Sequence, residues 1–296
     1  MAVQLVNALV LGGIYVLFAL GLSLTWGTLN ILNLAHGAVF MFSAFACYLI
    51  TERWHLAFPL LVVIAMLVGG AMSLLLDVVV FRAIRSRVQD EAKAELAMLI
   101  ASLGAATIPL SIAQRMTSDQ PFSLAEGSFK TRIFRIGAVP LTNDGLAIFI
   151  LAIVLVVGLA VWVRKSRNGR ALRALAADPE TCGLMGINPR ALTAFTLFFA
   201  GATAGLGGIL LMAHLGSITP MTGETLLLKA FACVILGGVG SVWGTLAGAY
   251  VLAFSEVIMT VTTSGTYTDA ISFAIIIAIL LIRPQGLFSR AKVDRV

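Results

Sequence analysis

Long apolar runs separated by short polar gaps pattern this 296-residue chain. Residues 1–51 hold no Asp, Glu, Lys or Arg, and further uncharged runs cover 54–76, 96–114, 145–163, 191–223 and 230–255. An α-helix rises ~1.5 Å per residue, so roughly 20 residues cross a ~30 Å hydrocarbon layer. Lipid offers no partner for a backbone N–H or C=O, so each run must satisfy its own backbone as a helix. The runs are continuous rather than alternating, which excludes a transmembrane β-barrel. The pattern predicts spans at 5–25, 36–51, 56–80, 95–114, 142–163, 190–213, 225–239, 243–261 and 267–282. The fold class is all-α: one polytopic transmembrane domain over 1–296, with about eight to nine segments. The segments 36–51 and 225–239 are short enough to be broken or re-entrant half-helices.

Composition agrees, with 59% hydrophobic residues and a mean hydropathy of +1.01, outside the range of soluble domains. Charge then orients the chain. The loop 82–93 carries Arg82, Arg85, Arg87 and Lys93, the stretch 164–190 carries Arg164, Lys165, Arg167, Arg170, Arg173 and Arg190, and the tail carries Arg283, Arg290, Lys292 and Arg295. Short loops rich in Lys and Arg stay in the cytoplasm. That places the N-terminus outside and leaves 115–140 as the long outward-facing loop, with Arg115, Lys130, Arg132 and Arg135. The net charge of +6 thus belongs beside the membrane rather than on nucleic acid. The first apolar run lacks a basic leader and a small-x-small site, so it reads as a retained helix. Cys47, Cys182 and Cys233 form no CxxC pair, which suggests neither a disulfide framework nor a metal site.

One stretch breaks the pattern. "RNGRALRALAADPETCGLMGINPR", 167–190, is charged and lies between two spans. Asp178 suits a helix N-cap, Pro179 the first helical position and Glu180 the positive end of the helix dipole, while Gly186 suits a left-handed C-cap. Asn188-Pro189 repeats the start signal and opens the next span. The capped segment 178–186 is a short, stiff helix on the cytoplasmic face, and Leu184, Met185 and Ile187 give it apolar side chains fit for a groove on another protein. Residues 164–173 read as a basic anchor.

Within the membrane, Asn30, Asn33 and His36 recur at three-residue spacing. On a helix they would share one side and line a substrate pathway, or the Asn side chains cap a broken helix there. Gly201 with Gly205, and Gly240 with Gly244 and Gly248, form small-xxx-small faces for helix packing. Lys229 and Glu256 fall inside spans at depths where they can form an intramembrane ion pair. Asp77 is placed to pair with Arg82 or to snorkel to the surface. "AFACYLI" at 44–50 echoes "AFACVIL" at 230–236, a hint of related halves. No Gly-Lys dipeptide occurs, so a nucleotide-binding P-loop is absent, and no paired acids, Ser–His set or metal cluster suggests an enzyme.

"ALAADPETCGLMGIN" resembles the cytoplasmic coupling loop of ABC importer permeases in its branched-chain amino-acid version. "GGIYVLFALGLSLTWGTLNILNLAHGAVFM", "PMTGETLLLKAFACVILGGVGSVWGTLAGAYVLAFSEVI" and "RPQGLF" resemble the same family, the Liv-type permeases and their smaller H-type subunit. The resemblance implies a permease in a bacterial inner membrane that forms half of a translocation pathway. It implies a homologous second permease, two ATPase subunits that bind the ATP, and an extracytoplasmic solute-binding protein. The residues from Asp178 to Gly186 would then seat in an ATPase cleft, and the permease itself needs no cofactor. Related permeases carry urea, short amides or aromatic acids, so those substrates remain alternatives to branched-chain amino acids. An ion-coupled secondary transporter is the competing class, for which Glu256 is the candidate acid.

Overall fold

A computed structural model describes residues 2–54, 56–88, 90–125, 133–136, 139–177 and 179–262, with isolated positions between 270 and 288. Its elements are α1 (Ala2–Leu29), α2 (His36–Thr51), α3 (Phe58–Leu76), α4 (Arg82–Arg87), α5 (Glu91–Thr117), β1 (Ile133–Ile136), β2 (Val139–Thr142) and α6 (Asn143–Lys165). They continue as α7 (Arg167–Ala177), α8 (Pro179–Leu184), α9 (Pro189–Leu215), α10 (Thr222–Gly237) and α11 (Val242–Thr262). Six helices among the described residues are long and apolar enough to cross a membrane, and His36–Thr51 is a shorter apolar one. Most of the expected span at 267–282 lies outside the described residues.

Caps fall where local chemistry places them. Thr142 accepts from the Gly145 N–H at the start of α6, Asn188 from Ala191 at the start of α9, and Asp90 from Lys93 at the start of α5. Three of the expected connections are more ordered than their polar sequence suggested. The loop expected from residue 82 begins as helix instead: α3 runs through a π-helical turn, Asp77–Phe81, directly into α4. The stretch 164–173, read as a basic anchor, is largely part of α7, whose Gly169, Leu172 and Leu175 are buried while its arginines stay exposed. Its arginines and leucines alternate at helical spacing, so one face packs while the other stays wet. The outward loop is also more structured than a polar connection: β1 and β2 pair antiparallel, Ile133 opposite Thr142, and Phe122 bridges to Ile218.

α1 and α9 form the buried centre. α3, α5 and α6 lie outside them and expose Leu67, Leu75, Ile100, Ile108, Ile150 and Val154, a surface suited to lipid. The start of α6 meets the end of α9 through Asp144 and His214, and meets the start of α1 through Gly145 and Val10. α1 and α9 therefore run in opposite directions.

Those directions reveal a repeat. The shift that carries AFAC at 44–47 onto AFAC at 230–233 also carries His36–Thr51 onto Thr222–Gly237, the bounds of α2 and α10. It carries the end of α1 onto the end of α9. Packing follows the same exchange, with α3 lying along α9 and α11 along α1. At the centre Gly37 and Gly223 touch, each in the space where the other's Cβ would be. The chain is thus built from two inverted halves, α1–α3 and α9–α11, joined by α4–α8.

Candidate functional site

Two regions carry the candidate residues: the inner-surface segment and the polar positions inside the membrane.

In the charged segment, α7 is held against the end of α6. Gly169 sits on the Trp162 and Val163 carbonyls, its N–H is accepted by Ser166 Oγ at 2.8 Å, and Arg173 donates to the Val163 carbonyl. α8 follows, starting at Pro179. Asp178, expected as its cap, lies outside the described residues, and so do the side chains of Pro179 and Glu180. Gly186 has φ +77°, the left-handed conformation expected of a C-cap. The Gly186 and Ile187 N–H groups return to the Gly183 and Cys182 carbonyls, both at 3.2 Å. Cys182 is buried, whereas Leu184 is 88% and Met185 76% exposed. With Asn188 capping α9 immediately afterwards, a stiff turn holds two large apolar side chains in solvent at the head of a central helix.

Inside the membrane, 30–35 is not helical, so Asn30, Asn33 and His36 do not share a helix side. Asn30 adopts φ +52° and is exposed, while Asn33 and His36 are buried. Asn33 Oδ1 accepts from the Ala35 N–H at 3.0 Å, and Ser102 Oγ accepts from the Leu34 N–H at 3.0 Å. The His36 ring stacks on Phe18 with centroids 4.9 Å apart, its Nε2 3.1 Å from the Phe18 carbonyl. These contacts satisfy backbone groups freed by a break in lipid-buried helix. The break starts α2 partway through the bundle, at the level of Phe18.

Lys229 and Glu256 meet as their depths suggested, with Nζ 2.8 Å from Oε1. Sequence reasoning missed the third member. Tyr15 donates to Glu256 Oε2 at 2.5 Å and accepts from Lys229 Nζ at 3.3 Å. Tyr15 sits among apolar residues of α1, so no local pattern marked it; α1, α10 and α11 come together only in three dimensions. The Asp144–His214 contact, 2.6 Å between Oδ2 and Nδ1, was also missed. Its signal was available, since Asp144 lies in the first turn of one span and His214 in the last turn of another. Asp77 pairs with Arg82 as expected, Oδ2 to Nη2 at 2.7 Å.

The glycines separate into two kinds. Gly201 packs on the Gly69 carbonyl and Gly205 on that of Ala65, forming the α3–α9 seam. Gly244 packs on Gly237, and Gly248 on Cys233, closing the α10–α11 pair. Gly240 belongs to neither helix, contrary to the small-xxx-small reading. It lies in the connecting turn with φ +78°, against Gly27 of α1. Its left-handed backbone and the close approach of Gly27 both require glycine. No cluster of metal ligands occurs among the described residues.

Known proteins resemble the chain over most of its length. The family described as "Branched-chain amino acid transport system / permease component" matches residues 4–280. The high-affinity branched-chain amino acid transport system permease protein LivH of Escherichia coli is 28% identical, over 99% of this chain and 97% of its own length. The corresponding protein BraD of Pseudomonas aeruginosa is 29% identical, over the same shares. The ribose import permease protein RbsC of Haemophilus influenzae is 24% identical, over 94% of this chain and 81% of its own. No solved structure matches.

Proposed function

The chain belongs to the branched-chain amino acid transport permease family, and on that premise we propose that it imports branched-chain or related apolar amino acids, driven by ATPase subunits that press on 178–187. It is a multi-pass permease of the inner membrane and not an enzyme. Its family's permeases work with ATPase and solute-binding subunits; the assembly proposed here has a homologous second permease, two ATPases and an extracytoplasmic binding protein.

One observation carries the reading: Leu184 and Met185, almost fully exposed, sit on a Gly186-capped turn fused to central helix α9. Burying two such side chains in a partner's cleft contributes about 1.5–3 kcal/mol each, enough to transmit a push. α9 lies against α1, α2 and α3, so a displacement at its head reaches both halves. The pathway proposed for substrate passes the break at 30–36. Asn30 faces it, and Asn33 and His36 hold the break in shape. An ion-coupled transporter would need a free intramembrane acid, but Glu256 is already engaged by Lys229 and Tyr15.

The test is a reconstituted assembly with its ATPases and binding protein in sealed vesicles. Changing both Leu184 and Met185 to Ser is expected to abolish substrate-stimulated ATP hydrolysis while membrane insertion stays normal. A Walker-lysine variant of the ATPase is expected to stop uptake of leucine. Uptake that continues without hydrolysis removes the proposal. A ribose permease is among the relatives, so leucine and ribose uptake are compared in the same vesicles.

A further inference from the structure

At the inner membrane boundary, where α3 passes through its π turn into α4, a cavity of about 460 Å³ opens between these segments and the start of α9. Asp77, Val78, Arg82, Arg85, Arg190 and Thr193 line it. Asp77 is fully buried and takes Arg82 Nε at 2.8 Å and Nη2 at 2.7 Å on one oxygen, so these two charges cancel. Arg85 and Arg190 make no ion pair among the described residues. Two guanidinium charges are therefore surplus, and both sit at exposed positions on the cavity rim where an anion can reach them.

The cavity is continuous with an apolar surface. Leu75, Val78 and Val79 are 62%, 54% and 61% exposed. They lie on the same side of the helix just before the arginines begin. A ligand matching both features needs an anionic head and a hydrocarbon tail. Arginine's planar fork suits phosphate oxygens, and basic pockets between helices on the cytoplasmic side suit anionic headgroups.

We propose that this cavity binds an anionic phospholipid, its phosphate held by Arg85 and Arg190 and one acyl chain lying along Leu75, Val78 and Val79. The bound lipid would bridge the end of α3 to the residue that follows Pro189, tying the head of α9 to the other half of the molecule. The proposal is independent of what the chain transports. An acidic side chain of a partner subunit would use the arginines but leave the apolar strip unexplained.

The experiment uses the full-length chain in its assembly, purified in mild detergent and stripped of lipid. It is titrated with phosphatidylglycerol, phosphatidylcholine or inorganic phosphate, and bound lipid is counted by native mass spectrometry. Phosphatidylglycerol is expected to bind in preference to phosphatidylcholine, with inorganic phosphate unable to displace it. Arg85→Gln and Arg190→Gln are each expected to weaken it by about fivefold. Arg85→Lys keeps the charge and is expected to retain most of the binding, which separates lost contact from lost fold. Arg164→Gln, a basic position on the same face outside the cavity, should bind like the parent. Equal retention of the two lipids, displacement by phosphate alone, or an equal loss in Arg164→Gln overturns the proposal. So does a pair of cavity variants that keep phosphatidylglycerol but shed the ATPase.

Discussion

Tyr15, Lys229 and Glu256 show what single residues contribute inside this membrane domain. A buried ion pair offsets the cost of desolvating two charges only when its remaining polar atoms are also satisfied. Here the Tyr15 hydroxyl bonds to both partners. Glu256→Gln strands the Lys229 charge and is expected to cost about 3–5 kcal/mol, read as a lower melting temperature in detergent. The double variant Lys229→Met with Glu256→Leu removes both charges and is expected to recover most of that loss. A double variant that recovers stability but not leucine uptake would show that the pair meets substrate rather than only holding α10 to α11. Depth in the apolar runs was enough to pair Lys229 with Glu256. Nothing local pointed to Tyr15, because its partners lie more than two hundred positions away along the chain.

At the glycine seams, helices meet through backbone rather than side chains. Along the α3–α9 seam, Gly69 and Gly201 lie against each other's carbonyls, so either Cβ would collide with main chain. Without a hydrophobic drive in lipid, such close approach supplies the dispersion energy that joins helices. Gly201→Val is expected to lose about 1–3 kcal/mol or more by overpacking, seen as reduced yield of folded protein at normal expression. Gly158 has nothing within 4 Å of a Cβ position, and Gly158→Ala is expected to be neutral or slightly stabilising in the same assay. The spacing of Gly201 and Gly205 announced a packing face, but not its partner. Gly240 misled because period-four spacing is equally compatible with a helix and with a turn preceding one. The short helix at 178–186 was legible from its caps, since Pro179, Gly186 and Asn188 act on neighbours only a few residues away.

At the scale of the molecule, two inverted halves cross at Gly37 and Gly223, where the starts of α2 and α10 touch. Inverted repeats with broken helices allow alternating access by rocking one half against the other. Gly37→Ala and Gly223→Ala each drive a Cβ into the other glycine's carbonyl and are expected to reduce leucine uptake while basal ATP hydrolysis stays measurable. Uptake at the parent rate in both variants would show that the crossing tolerates a wider separation.

The order of residues alone determined that the chain is helical and membrane-embedded, and where its stiff capped turn lies. Both follow from forces that act locally: hydrocarbon transfer over a run and caps within one helical turn. The tertiary structure decided the rest. It placed α3 on α9 and α11 on α1, brought Tyr15 to the ion pair, decided for the broken helix over the helix face at Asn30–His36, and set Arg85 and Arg190 around one cavity. Those outcomes depend on contacts between residues far apart in the chain, and local spacing carries no term for such contacts.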